Sequence, residues 1–564
     1  MADARPFGNG AAHAGARLLV NARFRDPLAP AAHHGAALPD AMAVEAGRIV
    51  AVGRAAELAP FADRGFVRTD MGGATVLPGF IDCHSHLLLT GIMDLGMDLS
   101  VAETLGDVLD MVADAARTEP AGGFIRGFRL EELDLAERRM PTRQELDHAA
   151  PGRAVLLMHA TCHRCVMNSL ALQQLAVPRG LPGADTEGGR GAAPFTGVVR
   201  DPGILTWVFP AMLRSMDRAH LDAAALVAAR SALRVGITTV HSMEGGELTP
   251  GGSPVLLDNA ARLPLRVVCW NQSMDLAEVE QLALPRVGGC ICADGELDAR
   301  TAALFEPYSD EPDNDGTLLY TQQEMDDFVL SAHARGLQVA VHCESERAID
   351  QVLRAIERAQ RLEPRDDCRH RIEHFELPTW DQIDRMAAAG VVASMQPAFV
   401  ESFIAGHRLD HCTRLFGPHR VRRLHPYRAI LDAGIRVCGG SDSPVTNYAP
   451  LRGMAAAVNH PFAEQSATLA EALRMFTTEA AFSAFEEADK GRLLPGMLAD
   501  LVVLGRDPLG PPDPQDAPDP QDAPDPQDAP DPSDARNAPA NASSVADIPV
   551  LGAWVGGQPT TTED

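Results

Sequence analysis

An apolar run of this chain ends in two histidines that are separated by one residue: Leu77-Pro78-Gly79-Phe80-Ile81-Asp82-Cys83-His84-Ser85-His86. Side chains of a β-strand alternate between its two faces, so His84 and His86 are predicted to point the same way. Two imidazoles that lie this close together can bind one divalent cation. Three further candidate ligands end later apolar runs, at His342, His374 and Asp442. A single His-x-His pair is often only part of a polar loop, so it is the combination that predicts a metal site.

The runs that carry these candidates form a regular series. Short apolar runs of strand type alternate with long amphipathic stretches, and the runs cover 76–86, 237–242, 266–271, 288–294, 337–343, 369–374, 391–396 and 435–442. Eight strands with helical connections predict an α/β fold, a closed parallel (β/α)8 barrel of the TIM type over residues 76–489. Catalytic residues of such barrels lie at the carboxyl ends of the strands, and every candidate ligand ends one of these runs.

Two of the connecting stretches show clear helix patterns. Residues 321–335 begin with a capping threonine, and 345–362 carry apolar residues at i, i+3 and i+4. A third stretch, 90–236, is far too long for one barrel connection. We predict that it is a helix-rich insertion after the first barrel strand, with one strand-like run at 154–160, and that it covers the barrel mouth.

The two ends of the chain predict a second unit. Residues 16–75 and 490–564 contain strand-like runs with turns between them, which favours one small composite β-sandwich domain. Within it, the repeat Asp-Pro-Gln-Asp-Ala-Pro places eight aspartates and no basic residue between Asp513 and Asp534. Such a tract cannot bury a core, so 511–540 is predicted to be a disordered loop, and 1–15 a disordered N-terminus.

Composition limits the classes of binding partner and the cellular compartment that we expect. The net charge of −28 opposes nucleic acids and anionic membranes as partners. No apolar run approaches the roughly 20 residues that span a bilayer, and the first fifteen residues lack a signal-like apolar stretch. The ten cysteines are scattered, and several lie inside strand-like runs, which favours reduced thiols. We therefore expect a cytoplasmic protein that acts on a small molecule.

Ten short motifs are spread along most of the chain, at 77–86, 141–147, 236–241, 293–295, 300–304, 307–310, 339–342, 371–374, 440–445 and 496–501. Together they resemble the amidohydrolase superfamily, and within it amidohydrolase family 3, the branch of N-substituted formamide deformylase-like proteins. The resemblance implies a metal-dependent hydrolase of a non-peptide C–N bond, of amide, N-acyl or formamide type.

The same resemblance implies one or two divalent ions in the barrel, usually zinc. His84 and His86 would bind one ion, and His342 and His374 would bind a second. Asp442 would bind metal and, as general base, accept the proton of the attacking water. A bound metal lowers the pKa of water toward neutrality and polarises the scissile carbonyl. The alternative for Asp442 is a helix-capping role, since Ser-Asp-Ser-Pro resembles a helix start.

One position departs from the family pattern. Many relatives carry a carboxylated lysine at the end of the fourth barrel strand, and alignment on 293–295 places Cys290 there. Lys490 is the single lysine of the chain, and it lies at the start of the terminal sandwich. Arginine, which supplies the other basic residues, cannot be carboxylated. We therefore expect no carbamate bridge.

Three alternatives remain for Cys290. It could bridge two zinc ions as a thiolate. One ion could instead be held by His84, His86 and Asp442, with a later histidine helping and Cys290 packed as a small buried apolar residue. The site could also be degenerate. Cys292 lies two residues further along the same face and is a second candidate.

Three residues are candidates for contacts with the substrate. His163 matches a pocket histidine of the family and is predicted to donate to the substrate oxyanion, a catalytic role. Arg300 is the candidate for binding an anionic substrate group through its fork of donors, the alternative being a surface salt bridge. Asp294 is the other candidate for a direct contact with the substrate.

Other functions stay open at this stage. The same barrel and metal could serve a cyclic amide or amidine hydrolase, a deaminase or a non-hydrolytic enzyme, and a degenerate relative would have no activity. The sequence does not name the substrate. Relatives with this architecture are often dimers, so a homodimer is the expectation for the assembly.

Overall fold

The computed structural model describes residues 15–28, 38–160, 162, 164–186, 195–200, 203–246, 248–510 and 543–560. Eight parallel strands form one sheet in which spatial order follows chain order. They are Phe80–Ser85, Ile237–Glu244, Arg266–Asn271, Arg286–Cys292, Gln338–Ser345, Arg371–Leu377, Val392–Met395 and Val437–Gly439. Each overlaps one predicted apolar run, so the predicted parallel barrel is confirmed.

The sheet curls until its first and last strands meet. Ser85 forms a parallel bridge with Ser443, and the Asp442 N–H donates to His84 O at 2.7 Å. These bonds join the carboxyl end of the first strand to the segment that follows the eighth. Closure therefore brings His84 and Asp442 together although they are far apart in sequence.

Helices connect the barrel strands on the outside. The two helices predicted from sequence lie at Gln322–Ala334 and Glu346–Leu362. Thr321 caps the first through a bond from Glu324 N, and the second buries Ala348, Val352 and Ile356 on its inner face. The other helices that follow barrel strands are Leu87–Asp94, Gly252–Asn259, Leu276–Gln281, Trp380–Ala388, Arg408–Arg420, Tyr427–Asp432, Pro450–Val458, Leu469–Met475 and Thr478–Ser483.

The long segment between the first two barrel strands contains more strands than its sequence predicts. A six-stranded sheet joins Met97–Asp98, Phe124–Leu130, Ala154–His159, Arg164–Met167, Ala184–Thr186 and Phe195–Arg200. The helices of this segment are Leu105–Thr118, Arg143–Ala149, Ser169–Gln174, Phe209–Arg214 and Arg218–Arg234. The predicted run at 154–160 is the strand Ala154–His159, and the helices hold more residues than the strands. The other five strands are additions that the sequence analysis did not predict.

The terminal segments form two sheets that face each other. One joins Arg17–Val20, Ala41–Glu45, Arg48–Gly53 and Val67–Asp70, and the other joins Arg23–Phe24, Thr75–Pro78, Leu501–Leu504, Val550–Val555 and Gln558–Pro559. Their shared core includes Leu19, Val76, Leu501 and Trp554. Short helices lie at Ala55–Leu58, Pro60–Asp63 and Ser543–Ala546.

Several predictions about these ends are limited by what the structure describes. The run 76–86 divides at Gly79, so that its first part belongs to the terminal sheet and only the second to the barrel. The predicted disordered segments, 1–15 and 511–540, lie almost entirely outside the described residues, and the domain boundaries stay predictions. Within the described part of the chain, no helix has the length and apolarity needed to cross a membrane.

A pair of buried histidines lies at the amino ends of the fifth and sixth strands. The Val339 N–H donates to His370 Nδ1 at 3.0 Å, so the ring proton of His370 is on Nε2. His370 Nε2 lies 2.8 Å from His333 Nδ1, and His333 Nε2 lies 2.7 Å from Glu363 O. The bond from Val339 therefore favours the neutral form of the His370 ring. Burial, with a smaller contribution from His333, lowers the pKa of His370 to about 3.

This low pKa predicts acid sensitivity of the fold. The unfolded chain takes up a proton at His370 below its ordinary pKa of about 6.5, whereas the folded protein does not until about pH 3. Stability is therefore lost as pH falls between these values, by up to about 1.4 kcal/mol per pH unit from this group. His370→Gln should reduce the shift of the urea midpoint between pH 7 and pH 5. His419→Gln, at an exposed histidine, is the control; a wild-type shift in His370→Gln would contradict the prediction.

Candidate metal centre

Six side chains predicted as ligands converge at the carboxyl end of the barrel. They form two groups in which the donor atoms all lie within 4.8 Å of one another. The first group is His84, His86, Cys290 and Asp442, and the second is Cys290, His342 and His374. Cys290 belongs to both groups, so its sulfur lies between two sets of donors.

The first group has the spacing of ligands around one ion. His84 Nε2 lies 3.1 Å from Cys290 Sγ, and His86 Nε2 lies 3.6 Å from the same sulfur. Asp442 Oδ1 is 3.3 Å from His84 Nε2 and 3.2 Å from His86 Nε2. Tetrahedral zinc ligands are separated by roughly 3.3–3.8 Å, given zinc–ligand bonds of about 2.0–2.3 Å. The four donors therefore fit a single ion.

The opposite ring nitrogens fix the histidines of this group. His84 Nδ1 lies 2.7 Å from Glu373 Oε2, and His86 Nδ1 lies 3.0 Å from Met243 O. Both partners accept, so each Nδ1 carries the ring proton and each Nε2 offers its lone pair to the cluster.

An ion pair that the sequence analysis missed supports His84. Arg371 binds both oxygens of Glu373, at 2.7 and 2.8 Å, and both side chains are fully buried. Burial alone would raise the pKa of Glu373, but Arg371 and His84 outweigh it and lower the pKa to about 2. The available signal was the spacing of Arg371 and Glu373, which places them on the same face of one strand.

The second group contains histidine ring nitrogens that have no hydrogen-bond partner in the described part of the chain, as expected of metal ligands. His342 Nδ1 and both ring nitrogens of His374 are buried and have no hydrogen-bond partner among the described residues. Unsatisfied buried polar atoms are costly, and one nitrogen of each ring lies within 4.8 Å of the sulfur of Cys290. Nitrogen and sulfur donors at this spacing suit a divalent ion such as zinc.

Unusual backbone angles aim two of these side chains. His374 and Asp442 have φ of +71° and +54°, a conformation that residues other than glycine rarely adopt. Neighbouring residues of a regular strand point to opposite faces, so His374 would point away from the face of Glu373. The positive φ of His374 turns its side chain toward the site that Glu373 also contacts. Gly288 has φ of +101°, and a Cβ there would lie 1.8 Å from Ala340 O, so the strand that carries Cys290 needs glycine for its irregular path.

The charges of the site favour its ionised ligands. Burial would raise the pKa of the Cys290 thiol, but the charges of His84 and His86, when both are protonated, hold it well below the usual range. The same two protonated histidines outweigh burial and hold the pKa of Asp442 well below its ordinary value. A bound cation would take the place of their Nε2 protons and supply the same positive charge. The cluster thus presents a thiolate and a carboxylate to a cation.

The other predicted site residues do not join this cluster. Asp294 accepts bonds from Ser345 Oγ and from the backbone N–H groups of residues 303, 344 and 345, which supports a positioning role. Arg300 forms ion pairs with Asp310 and Glu311. His163 lies outside the described residues. Cys292, the second candidate for the bridge, has its Sγ 3.6 Å from Cys290 O. The metal role of Cys292 and the substrate contacts of Asp294, Arg300 and His163 stay predictions.

A parallel (β/α)8 barrel with this donor set at its carboxyl end defines the class of metal-dependent hydrolases. A family model described as the amidohydrolase family matches residues 69–561. The chain therefore belongs to the amidohydrolase family, as the motifs predict.

Individual relatives agree with this assignment. The chain is 29% identical over 508 residues to the N-substituted formamide deformylase of Arthrobacter pascens, which covers 83% of this chain and 90% of that protein. It is 27% identical over 505 residues to Protein LONG AFTER FAR-RED 3 of Arabidopsis thaliana, covering 82% and 84%. An uncharacterized metal-dependent hydrolase from Pyrococcus furiosus superposes with a TM-score of 0.71 at 25% identity, covering 88% of this chain and all of that one.

Metal binding is expected to stabilise the fold. Zinc at a hundred times its dissociation constant should raise the free energy of unfolding of chelator-treated protein by about 2.7 kcal/mol. The measurement is the urea midpoint with and without zinc. His84→Ala should lose most of the shift, because it removes a donor of the first group, whereas His407→Ala, at an exposed histidine, should keep it. An unchanged midpoint for the wild-type protein would contradict the metal site.

Proposed function

We propose that this protein is a metal-dependent amidohydrolase that hydrolyses a non-peptide C–N bond of amide, N-acyl or formamide type. The observation that carries the proposal is the position of Cys290 between two donor groups, which together fit two ions. The bond type is supported by the similarity to an N-substituted formamide deformylase. Family membership implies a small-molecule substrate.

Zinc is the proposed metal, with His84, His86 and Asp442 at one position and His342 and His374 at the other. When bound, it would polarise the scissile carbonyl and make water acidic enough to attack near neutral pH. Cys290 would supply the negative charge between the two positions that a carboxylated lysine supplies in many relatives.

Proton transfer is proposed to depend on Asp442. Its carboxylate lies at the end of the barrel beside His84 and His86, and it is ionised, so it can accept a proton from water. It can then deliver that proton to the departing amine. Glu373 keeps His84 in the tautomer that leaves Nε2 unprotonated. His163 is proposed to donate to the developing oxyanion.

The other candidates have less support. A degenerate relative would be expected to have lost donors, whereas all six ligand-type side chains come together here. A cyclic amide or amidine hydrolase, a deaminase or a non-hydrolytic enzyme would use the same donors, and no described contact favours one of them. All ten cysteines are free thiols, which supports the proposed cytoplasmic location. A homodimer stays a prediction.

Asp442→Asn tests the general base. The amide keeps the shape of the side chain and an oxygen ligand but cannot accept the proton, so kcat should fall about 10²–10⁴-fold. Turnover of N-substituted formamides and N-acyl amines is measured together with metal content by elemental analysis. Retained metal with lost turnover is the expected outcome. Wild-type turnover in the variant would contradict a general-base role for Asp442.

Cys290→Ser tests the bridge. Serine is a much weaker metal ligand than a thiolate, so the zinc content is expected to fall from two ions per chain to one. The matched control is Cys292→Ser, which changes the neighbouring thiol and should leave the content unchanged. Two ions in purified Cys290→Ser would contradict the bridge and leave Cys290 as a packing residue.

A further inference from the structure

Three buried side chains lie in a row that begins with His374 of the second donor group and continues through Glu376 to His425. Glu376 Oε2 lies 3.1 Å from His425 Nε2, and Glu376 Oε1 lies 3.6 Å from His374 Nδ1. The side chains of His374, Glu376 and His425 are 3%, 9% and 1% exposed. One carboxylate thus lies between two imidazoles, away from bulk solvent.

The contact between Glu376 and His374 is incomplete. A separation of 3.6 Å exceeds a hydrogen bond, and neither Glu376 Oε1 nor His374 Nδ1 has a hydrogen-bond partner among the described residues. Each is a buried polar atom that needs a partner, and each faces the other. A movement of a few tenths of an ångström would satisfy both atoms at once.

His425 is held where it can orient the carboxylate. Its backbone N–H donates to Glu376 O at 2.7 Å, and its φ is +46°, a strained conformation for a non-glycine residue. The rings of Phe399 and Tyr427 flank it, with centroids 6.5 and 6.2 Å away. His425 Nδ1 has no partner among the described residues, so the side chain's polar contact is with Glu376.

The first donor group shows what such a partner does. His84 Nδ1 binds the buried Glu373, and this bond leaves Nε2 free to face the cluster. Glu376 stands in the same relation to Nδ1 of His374. Carboxylate partners of this kind fix the tautomer and ring orientation of a ligating histidine and raise its basicity.

We propose that Glu376 and His425 are a positioning pair for the second metal position. Glu376 accepts the Nδ1 proton of His374, which directs Nε2 to the metal, and His425 fixes Glu376 by donating from Nε2. The proposal rests on the two-ion site of the proposed function. It predicts a selective effect, because the histidines of the first position have partners of their own, Glu373 and Met243 O.

The first test is zinc titration of the chelator-treated full-length protein by calorimetry. Glu376→Gln is expected to weaken the second zinc by about 10- to 100-fold and to leave the first unchanged. The matched control is Glu344→Gln, which also removes a buried carboxylate close to His374, but one whose Oε2 accepts from Leu297 N. It should leave both affinities unchanged.

The second test concerns His425. His425→Gln keeps an N–H donor at a similar distance from the backbone and should retain most of the second-site affinity. His425→Leu removes the donor and should behave like Glu376→Gln. Cobalt in place of zinc gives a second readout, since the absorption spectrum of the second ion should change in Glu376→Gln and His425→Leu but not in His425→Gln.

The outcomes separate this inference from the proposed function. Wild-type protein that binds no zinc would overturn the proposed function itself. Wild-type protein that binds two ions, with Glu376→Gln binding both equally well, would overturn only the positioning pair. An equal loss in Glu344→Gln would also overturn it, because the effect would then be one of general negative charge. If His425→Leu fails to fold, the comparison of Glu376→Gln with Glu344→Gln still decides.

Discussion

The barrel is organised around one buried guanidinium. Arg371 is completely buried, so each of its donors must find an acceptor or destabilise the fold. Its main partner is Glu373, and its remaining polar contacts are with Cys83 O, Ser394 Oγ and His241 Nδ1. These residues belong to the first, second, sixth and seventh strands. A single side chain thus links half of the barrel, and through Glu373 it also orients His84.

The proposed bridge would let a site without lysine keep its charge. A carboxylated lysine would bring one negative charge between two metal positions, and a thiolate at Cys290 would bring the same charge on a shorter side chain. A shorter side chain requires the backbone to come closer. Gly288 and Gly289 have positive φ angles, and the register of this strand against the fifth strand shifts between Gly288 and Cys292. The strand is therefore irregular at the position of the proposed bridge.

The sequence predicts the barrel because its information is local. Short continuous apolar runs mark the strands, and the residues that end those runs, such as His86 and His342, reach the same edge of the sheet. The orientation of His374 is different, because a positive φ reverses the alternation on which the prediction depends. Partners such as Glu376 and His425 were missed for another reason. They are far apart in sequence, and only the folded barrel brings them into contact.

Very short strands were the other feature that the sequence did not predict. Met97–Asp98 and Ala184–Thr186 are strands of two and three residues, too short for any periodicity, and they are stabilised only by their neighbours in the sheet of the insertion. Gly79 lies between Pro78, the last residue of the terminal strand, and Phe80, the first residue of the barrel strand. Its N–H donates to Asp500 O, a contact with the opposite end of the chain that the sequence alone does not show.

The histidines at the two ends of the barrel have different roles. The effect of acid on activity is therefore expected at one end, and the effect of acid on stability at the other. At the carboxyl end, the histidines leave a ring nitrogen without a proton, so protons and metal compete for the same lone pair. At the amino end, His333, His370 and Cys368 also lie within ligand distance of one another, but hydrogen bonds already occupy the lone pairs of Nδ1 of His370 and Nδ1 of His333. Excess metal should thus protect the first set of histidines from acid and leave the second set exposed to it. Acid inactivation that metal prevents therefore arises at the site, and acid unfolding that persists in saturating metal arises at the amino end of the barrel.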